Sequence, residues 1–307
     1  MTQKVLSYDV GGTKVEVGIV NNRGKVLDQV RVPAAIPDGK SALIDQMASL
    51  GLTLLKKHPS VKKVGIASAG PLDPKKGILL NPSNFITRGK KWGNFPIVRL
   101  LSQKLKKPVF LENDAAAAIL AEHWVGAAKH EDNAMILTLG TGLGTGVLCN
   151  GELVRAGSHL HTEGGHMIIG MNDQTAPCGC GNLGCAEAYL SGRNFAKRVA
   201  LRMGKPHLTA REIAQLARKG DPAALKAFEE YAQIMAVAIR SFGVLFNPSL
   251  FIFAGSFAGA SDLFLPQTKR ELNRLLEGCG QKPPRLVVSK LNNHSGLIGA
   301  AYTVLNR

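Results

Sequence analysis

Hydrophobic and polar positions divide the chain into a strand-rich opening, an alternation of helices and strands, and a largely helical remainder. Leu6, Tyr8 and Val10 alternate, Gly11-Gly12-Thr13 makes a turn, and Val15, Val17 and Ile19 alternate again. Asn21-Asn22-Arg23-Gly24 turns the chain once more and Val26 to Val32 returns, so residues 4–32 read as a β-meander. Ser41 caps a helix carrying Leu43, Met47, Leu50 and Leu54, which Lys56 and Lys57 close. Val64 to Ala67 is a buried strand ending in the turn Ser68-Ala69-Gly70-Pro71. Pro74 to Asn94, rich in Gly, Pro, Asn and Lys, reads as a long loop of the kind that carries ligand contacts. Val109 to Leu111 is a strand ended by Glu112-Asn113-Asp114, and Ala115 to Ala121 starts a helix.

The opening pattern then repeats. Met135 to Leu139 is a strand, Gly140 to Gly146 a glycine-threonine turn, and Val147-Leu148 continues into the strong hairpin turn Asn150-Gly151, with Leu153-Val154 returning. The same order in both halves points to two related α/β domains, with glycine turns facing each other across a cleft. Further on, Thr209 and Glu212 form a capping box, and Asp221-Pro222 opens a longer helix towards Phe242. Leu250 to Phe253 and Leu286 to Ser289 are strands, the first ending at Ala254-Gly255-Ser256, and Gly296 to Leu305 is a last small-residue helix.

A chain of 307 residues has room for two domains with their own cores. Hydrophobic residues at 45% and charged residues at 20% describe a soluble globular protein. No apolar run is long enough to span a bilayer, and Asp9, Lys14 and Glu16 rule out a signal peptide at the start. An odd cysteine count with a metal-like cluster suits a reducing cytoplasm, so we expect a cytoplasmic protein with no membrane partner. The formal net charge of +16 raises the question of nucleic acid. The lysines come as scattered pairs, such as Lys56-Lys57, Lys62-Lys63, Lys90-Lys91 and Lys106-Lys107, with no basic helix or aromatic-studded arm. They read as a solvated surface with some attraction for phosphorylated ligands, and no specific nucleic acid partner is expected.

The densest chemistry lies between Glu163 and Glu187. His166, Cys178, Cys180 and Cys185 make a Cys₃His set, the donor set of a closed, structural zinc site. Two other readings exist for the thiols. They are buried small hydrophobes, or they are a disulfide, for which Cys178 and Cys180 stand too close in sequence. A zinc deaminase is a rival, because His161-Thr162-Glu163 is an H-x-E followed by Pro177-Cys178. That signature needs two residues between its cysteines, and only Gly179 separates them here. Cys185 would also fill the position that a catalytic water needs. A closed site does no chemistry itself. It pins a loop that carries Glu163 and Glu187, two carboxylates suited to a polar ligand.

Gly140 to Gly146 alternates glycine with threonine and leucine, a pattern that lets backbone N–H groups approach an anion. Alone it is equally a glycine-rich hairpin. Paired with Gly11-Gly12-Thr13-Lys14, it forms two donor turns able to hold one polyphosphate. Gly39-Lys40-Ser41 ends like a Walker A motif, but Ala34 stands where the first glycine belongs. Asp114, at a strand end ahead of a helix, is suited to accept a proton from a substrate hydroxyl. It is equally suited to cap that helix.

Together these residues resemble the ROK family (repressor, open reading frame, kinase), within the actin-like sugar-kinase superfamily. The match runs from Asp9 to Lys14 through Asn113-Asp114-Ala115 and Leu139 to Val147. It continues through Glu163-Gly164-Gly165-His166 and Cys178 to Glu187, and ends with Gly299-Ala300-Ala301. The resemblance implies a two-domain actin-like (ribonuclease H-like) α/β ATPase fold with an active-site cleft between the domains. The N-terminal domain would cover 1–120, completed by the helix 296–307, and the C-terminal domain 121–295, with the zinc loop at 163–187. The implied activity is transfer of the ATP γ-phosphate to a hexose 6-hydroxyl, with Mg²⁺ and a structural zinc. Glucose is the first acceptor to expect and N-acetylglucosamine the second. Family fructokinases carry a histidine within the cysteine run, which Cys178 to Cys185 lacks. Polyphosphate as donor is prompted only by the charge.

By position, the resemblance makes Asp114 the general base. Ser83, Asn84, Asn113, Glu163, His166 and Glu187 would bind the sugar or shape its site. Asp9 would sit at the Mg²⁺–phosphate end. Gly11, Gly12, Thr13, Lys14, Thr141 and Gly142 would contact phosphates, and Gly255 would lie near the nucleoside. A homodimer is also implied. Repressors of the family carry a helix-turn-helix ahead of the first glycine turn, where this chain has only Met1 to Tyr8. The expectation is therefore kinase activity with weak, salt-sensitive, sequence-independent DNA binding.

Overall fold

The computed structural model describes residues 3–82, 84–155, 157, 160–291 and 294–306. The opening meander forms as its alternation predicts: β1 (Lys4–Val10), β2 (Lys14–Asn21) and β3 (Val26–Pro33). β1 and β2 are buried on both faces, whereas β3, at the sheet edge, alternates half-buried and exposed positions. Next come α1 (Lys40–Lys57) and β4 (Val64–Ser68). Gly39 is the N-cap of α1, and Ser41 lies inside the first turn, where its hydroxyl donates to Asp45 Oδ2 at 3.2 Å. Ser41 therefore does not cap.

Residues 72–95 are not one long loop. They fold as five strands of two or three residues: β5 (Leu72–Asp73), β6 (Ile78–Leu80), β7 (Ile86–Thr87), β8 (Lys90–Lys91) and β9 (Asn94–Phe95). β5, β6 and β9 make a small sheet, and β7 pairs with β8. Phe85, Trp92 and Phe95, buried and in edge-to-face contact, hold this excursion on the core. α2 (Ile97–Leu105), β10 (Val109–Asn113) and α3 (Asp114–Val125) follow.

The second sheet is built from β11 (Ala134–Leu139), β12 (Leu143–Cys149), β13 (Glu152–Leu153), β14 (Leu250–Ala254) and β15 (Arg285–Val288). The glycine turn of its first hairpin is shorter than the sequence reading made it, because Gly144, Thr145 and Gly146 already belong to β12. Asn150 and Gly151 both take positive φ, 52° and 75°, as a two-residue hairpin turn requires. Between β13 and β14 come α4 (Ala186–Leu190), α5 (Gly192–Arg202), α6 (Ala210–Arg218) and α7 (Pro222–Phe246). The Thr209–Glu212 capping box is present, and Asp221 caps α7 through Ala224 N–H. α8 (Ser261–Leu276) links β14 to β15, and α9 (Ser295–Leu305) closes the chain. Among the described residues no helix is long and apolar enough to cross a membrane.

The chain divides into two compact units, Met1–His130 with Leu153–Thr162 and Leu291–Arg307, and Glu131–Glu152 with Glu163–Lys290. The expected border at 120 falls inside α3, a continuous helix, so the first unit runs on past it. In this unit the strand order is β10-β4-β1-β2-β3, with β1, β4 and β10 parallel. α9 returns to this unit because its small residues allow close approach. A Cβ on Gly299 would stand 1.9 Å from the Ala117 carbonyl oxygen, and one on Gly65 2.3 Å from that of Ala300. In the second unit the order is β13-β12-β11-β14-β15, the same arrangement of a three-strand meander followed by two parallel strands.

Candidate active site

In the first unit, the parallel strands deliver their C-terminal ends to one edge. β1 ends at Asp9-Val10, β4 at Ser68 and β10 at Asn113, with Asp9 level with Ala67, and Ala67 with Glu112. Asn113 caps α3, its Oδ1 accepting from Ala115 N at 2.9 Å and Ala116 N at 3.1 Å. Asp114 is the first residue of the helix, and its Oδ1 accepts from Ala115 N at 2.8 Å. The cap that the sequence offered to Asp114 is thus supplied by Asn113.

Asp9 lies across from Glu16 on β2, and Glu16 across from Arg31 on β3. Buried Glu16 is neutralised by Arg31, whose Nε donates at 2.9 Å. His294 Nδ1 stands 3.5 Å from the other Glu16 oxygen. The first turn of α9 sits on Asp9, since a Cβ on Gly296 would come 2.5 Å from the Asp9 carboxyl carbon. Burial pushes the Asp9 carboxyl up to about 7, the negative charge of Asp114 adds to this, and Lys14 opposes it.

The first glycine turn uses part of itself to stay closed. Gly11 N–H donates to the Lys14 carbonyl at 3.0 Å, so that amide is committed to the turn, and Gly12 and Thr13 form its tip. A Cβ on Gly12 would lie 2.9 Å from Asn84 Cβ, which brings a sugar candidate against a phosphate candidate. Ser83 lies outside the described residues.

Three residues here escaped the sequence reading of the site. Arg155 pairs with buried Glu112, the neighbour of Asn113, and His161 packs on Gly70, whose Cβ would stand 2.9 Å from His161 Cε1 and 3.4 Å from Asn113 Nδ2. The available signal was Glu112 itself, an acid directly after the apolar run Val109 to Leu111 of β10, which demands a basic partner.

In the second unit, the ligand atoms of His166, Cys178, Cys180 and Cys185 lie within 4.8 Å of one another. His166 Nδ1 is 3.5 Å from Cys178 Sγ, and Cys180 Sγ is 3.7 Å from Cys185 Sγ. Two thiolates about 2.3 Å from a tetrahedral zinc stand about 3.8 Å apart, so the set fits that ion. All three thiols are free of disulfides. The loop backbone is already laid out for the ligands. Ile169 and Gly170 N–H donate to the Gly184 carbonyl, Gly184 N–H to Ala176, and Cys178 N–H to Asn182. Gly184 has φ +71° and its Cβ would fall 1.6 Å from the Gly170 carbonyl oxygen, so only glycine fits there. Burial pushes the Cys178 thiol up to about 12, a cost that a bound divalent cation reverses.

Glu187, on the first turn of α4, reaches the second glycine turn. Its Oε2 accepts from Leu143 N at 2.9 Å, and its Oε1 is 3.8 Å from Cys178 Sγ. A Cβ on Gly142 would meet that carboxylate at 2.5 Å. Gly140 N–H donates to the Gly142 carbonyl at 3.0 Å, which leaves exposed Thr141 at the tip. Glu163 is exposed and starts the short helical turn 164–166, where Gly164 N–H donates to Thr145 Oγ1 at 2.9 Å. Gly255, with φ +87°, lies at the end of β14, its Cβ position 2.4 Å from the Leu139 carbonyl oxygen. Each unit thus holds its own share of the candidate residues.

The chain matches the ROK family over residues 5–307. It is 31% identical to a glucokinase of Thermotoga maritima, over 99% of this chain and 98% of the relative. It is 29% identical to an N-acetyl-D-glucosamine kinase of Aliivibrio fischeri, over 96% and 97% of the two. Among solved structures, a ROK family glucokinase from Streptomyces griseus in complex with glucose and AMPPNP superposes with a TM-score of 0.83 at 30% identity, covering 98% of both chains. With its paired α/β sheets, its two glycine turns and its Cys₃His loop, this chain belongs to the ROK family.

Proposed function

We propose that the protein is an ATP-dependent sugar kinase that phosphorylates a hexose at its 6-hydroxyl, with glucose as the acceptor. The observation that carries this reading is the placement of Asp114. Its carboxylate leads α3 at the end of β10 while Asn113 does the capping. Such a carboxylate takes the proton of the attacking hydroxyl and orients it. Asn84, Asn113, Glu163, His166 and Glu187 bind the sugar or shape its site. His166 faces the thiols through Nδ1, which makes Nε2 its nitrogen for a sugar hydroxyl.

Phosphoryl transfer asks for position and charge stabilisation more than covalent chemistry. Gly12, Thr13, Lys14, Thr141 and Gly142 offer donors to the phosphates, Gly11 closes its turn, and Gly255 lies near the nucleoside. Asp9 is the residue that would hold Mg²⁺, which neutralises phosphate charge when bound. Zinc held by His166, Cys178, Cys180 and Cys185 fixes the loop that carries Glu187. Exclusion of water protects the phosphoryl group from hydrolysis. We infer a cytoplasmic homodimer, as for the family the chain resembles.

The similarity to N-acetyl-D-glucosamine kinases supports a second acceptor. A coupled assay over a hexose panel decides. We expect the highest kcat/KM with glucose. A higher value with N-acetylglucosamine would move the assignment, and no phosphorylation of any hexose would overturn the kinase.

A further inference from the structure

The charge of this protein is not shared between its units. The first unit holds 22 of the 38 basic residues and 9 of the 22 acidic ones, a net +13 out of +16. Such an imbalance between halves is a signature of a polyanion partner.

The lysine pairs that look scattered in the sequence converge on one edge of the first sheet. β1, β4 and β10 are parallel, so their N-terminal ends share an edge, away from Asp9, Ser68 and Asn113. Hydrogen bonds tie the chain entries together there. Leu6 N–H donates to the Lys63 carbonyl, Val64 N–H to Pro108, and Asn22 N–H to Gln3. Lys62-Lys63 lead into β4 and Lys106-Lys107 into β10. Lys56-Lys57 end α1, and Lys57 and Lys4 reach Asp28 and His58 at 3.5 Å each. The β2–β3 turn adds Arg23 and Lys25.

Acidic residues avoid this edge. Asp9, Glu16, Glu112 and Asp114 stand at the other end of the strands, while Asp28 enters the basic group, where Lys57 Nζ stands 3.5 Å from it. Five strands spaced about 4.8 Å apart make the edge about 20 Å long. That length matches about six phosphates along one strand of a duplex.

We propose that this edge of the first unit binds the phosphate backbone of double-stranded nucleic acid, without regard to sequence. Three features favour a duplex over an anionic membrane or a single strand. The apolar residues Val61 and Leu105 of the edge are buried, and exposed Leu27 is a single side chain, too little apolar surface to insert among lipids. Among the described residues the rings at this edge, Phe110 and Trp124, are only partly exposed, and Lys63 Nζ lies over Phe110 at 5.7 Å, which leaves little free face to stack on unpaired bases. The charges are mostly lysines, compact point charges suited to phosphates rather than base edges.

The test uses the full chain and a fluorescent 20-base-pair duplex in anisotropy titrations from 50 to 200 mM salt. With about five phosphates engaged, the affinity should fall about 10² to 10³-fold over that range, equally for unrelated sequences. A triple variant K25E, K62E and K106E, all exposed positions, should bind at least tenfold more weakly at 50 mM salt and show a shallower salt slope. Its melting temperature and kinase turnover should stay unchanged. A second variant with the same loss of charge elsewhere in the unit, K75E and K76E with K90E, should bind the duplex nearly as the parent does. Equal losses in both variants would mean that net charge alone attracts the duplex and would overturn the surface. Binding to phosphatidylserine vesicles, with no binding to the duplex, would overturn the choice of partner.

Discussion

The two units share a sheet order, yet their first hairpins end in different company. In the first unit the β1–β2 turn follows Asp9 and Val10, and the end of β10, two strands away, leads into Asp114, so the acids come from strand ends of the sheet. In the second unit the β11–β12 turn follows Thr138 and Leu139, and its carboxylate, Glu187, arrives from an appended loop that the Cys₃His cluster gathers. Both turns close the same way, through an amide of the first glycine, Gly11 or Gly140. A repeated backbone thus conserves the donor turn, while the side-chain chemistry around it diverges. In the first unit acidity depends on burial within the sheet. In the second it depends on the organisation of a loop.

That contrast is open to test, and the largest effect should come from the sheet-borne acids. Asp114→Asn should lower kcat by about 10³-fold while calorimetry still detects sugar binding. Near-normal turnover would leave Asp114 as an ordinary first-turn residue of α3.

The loop-borne half should answer to the metal. Purified protein should contain one zinc per chain, and less than half an equivalent would count against the site. Cys180→Ser should lose metal and weaken sugar binding about tenfold or more. Because Glu187 also holds Leu143 N–H beside the second glycine turn, the KM for ATP should rise in the same variant. An unchanged ATP KM would show that the loop and the turn act independently.

A smaller effect separates the two duties of Glu187. Glu187→Gln keeps an oxygen for Leu143 N–H, whereas Glu187→Ala leaves that amide without its partner. Urea unfolding should place the alanine variant about 1–3 kcal/mol below the parent and the glutamine variant closer to it. Equal losses would assign the stabilisation to charge rather than to the hydrogen bond.

The smallest effect is a pH dependence in the first unit. Burial raises Asp9 from an ordinary 3.8 to about 7, so the folded chain retains a proton that the unfolded chain releases in that window. The contribution of Asp9 to stability is therefore full below pH 3.8 and is lost as pH rises through about 7. In metal-free protein, Asp9→Asn should melt about 5 °C higher than the parent at pH 8, and the gap should close towards pH 4. A gap that is constant with pH would remove the buried-carboxylate explanation.

Much of this was legible in the sequence because it is local. The alternation of Leu6, Tyr8 and Val10, the Asn150-Gly151 turn and the Thr209–Glu212 box each encode backbone preferences within a few residues. The cysteine spacing likewise brought a ligand set together without long-range information, and the structure finds those four ligand atoms within 4.8 Å. The small strands of residues 72–95 were not legible, because segments of two or three residues carry no period. Only their packing through Phe85, Trp92 and Phe95 defines them.

By itself, then, the amino-acid sequence determined the repeated strand–turn–strand pattern, the Cys₃His donor set and the acidic strand end at Asp114. Each of these follows from chemistry between near neighbours. Tertiary structure alone decided that Glu187 ties the Cys₃His loop to the second glycine turn and that Arg155 answers buried Glu112. It also turned dispersed lysine pairs into one basic edge. Parallel strands separated by long connections place their entries side by side, and no window along the chain contains that information.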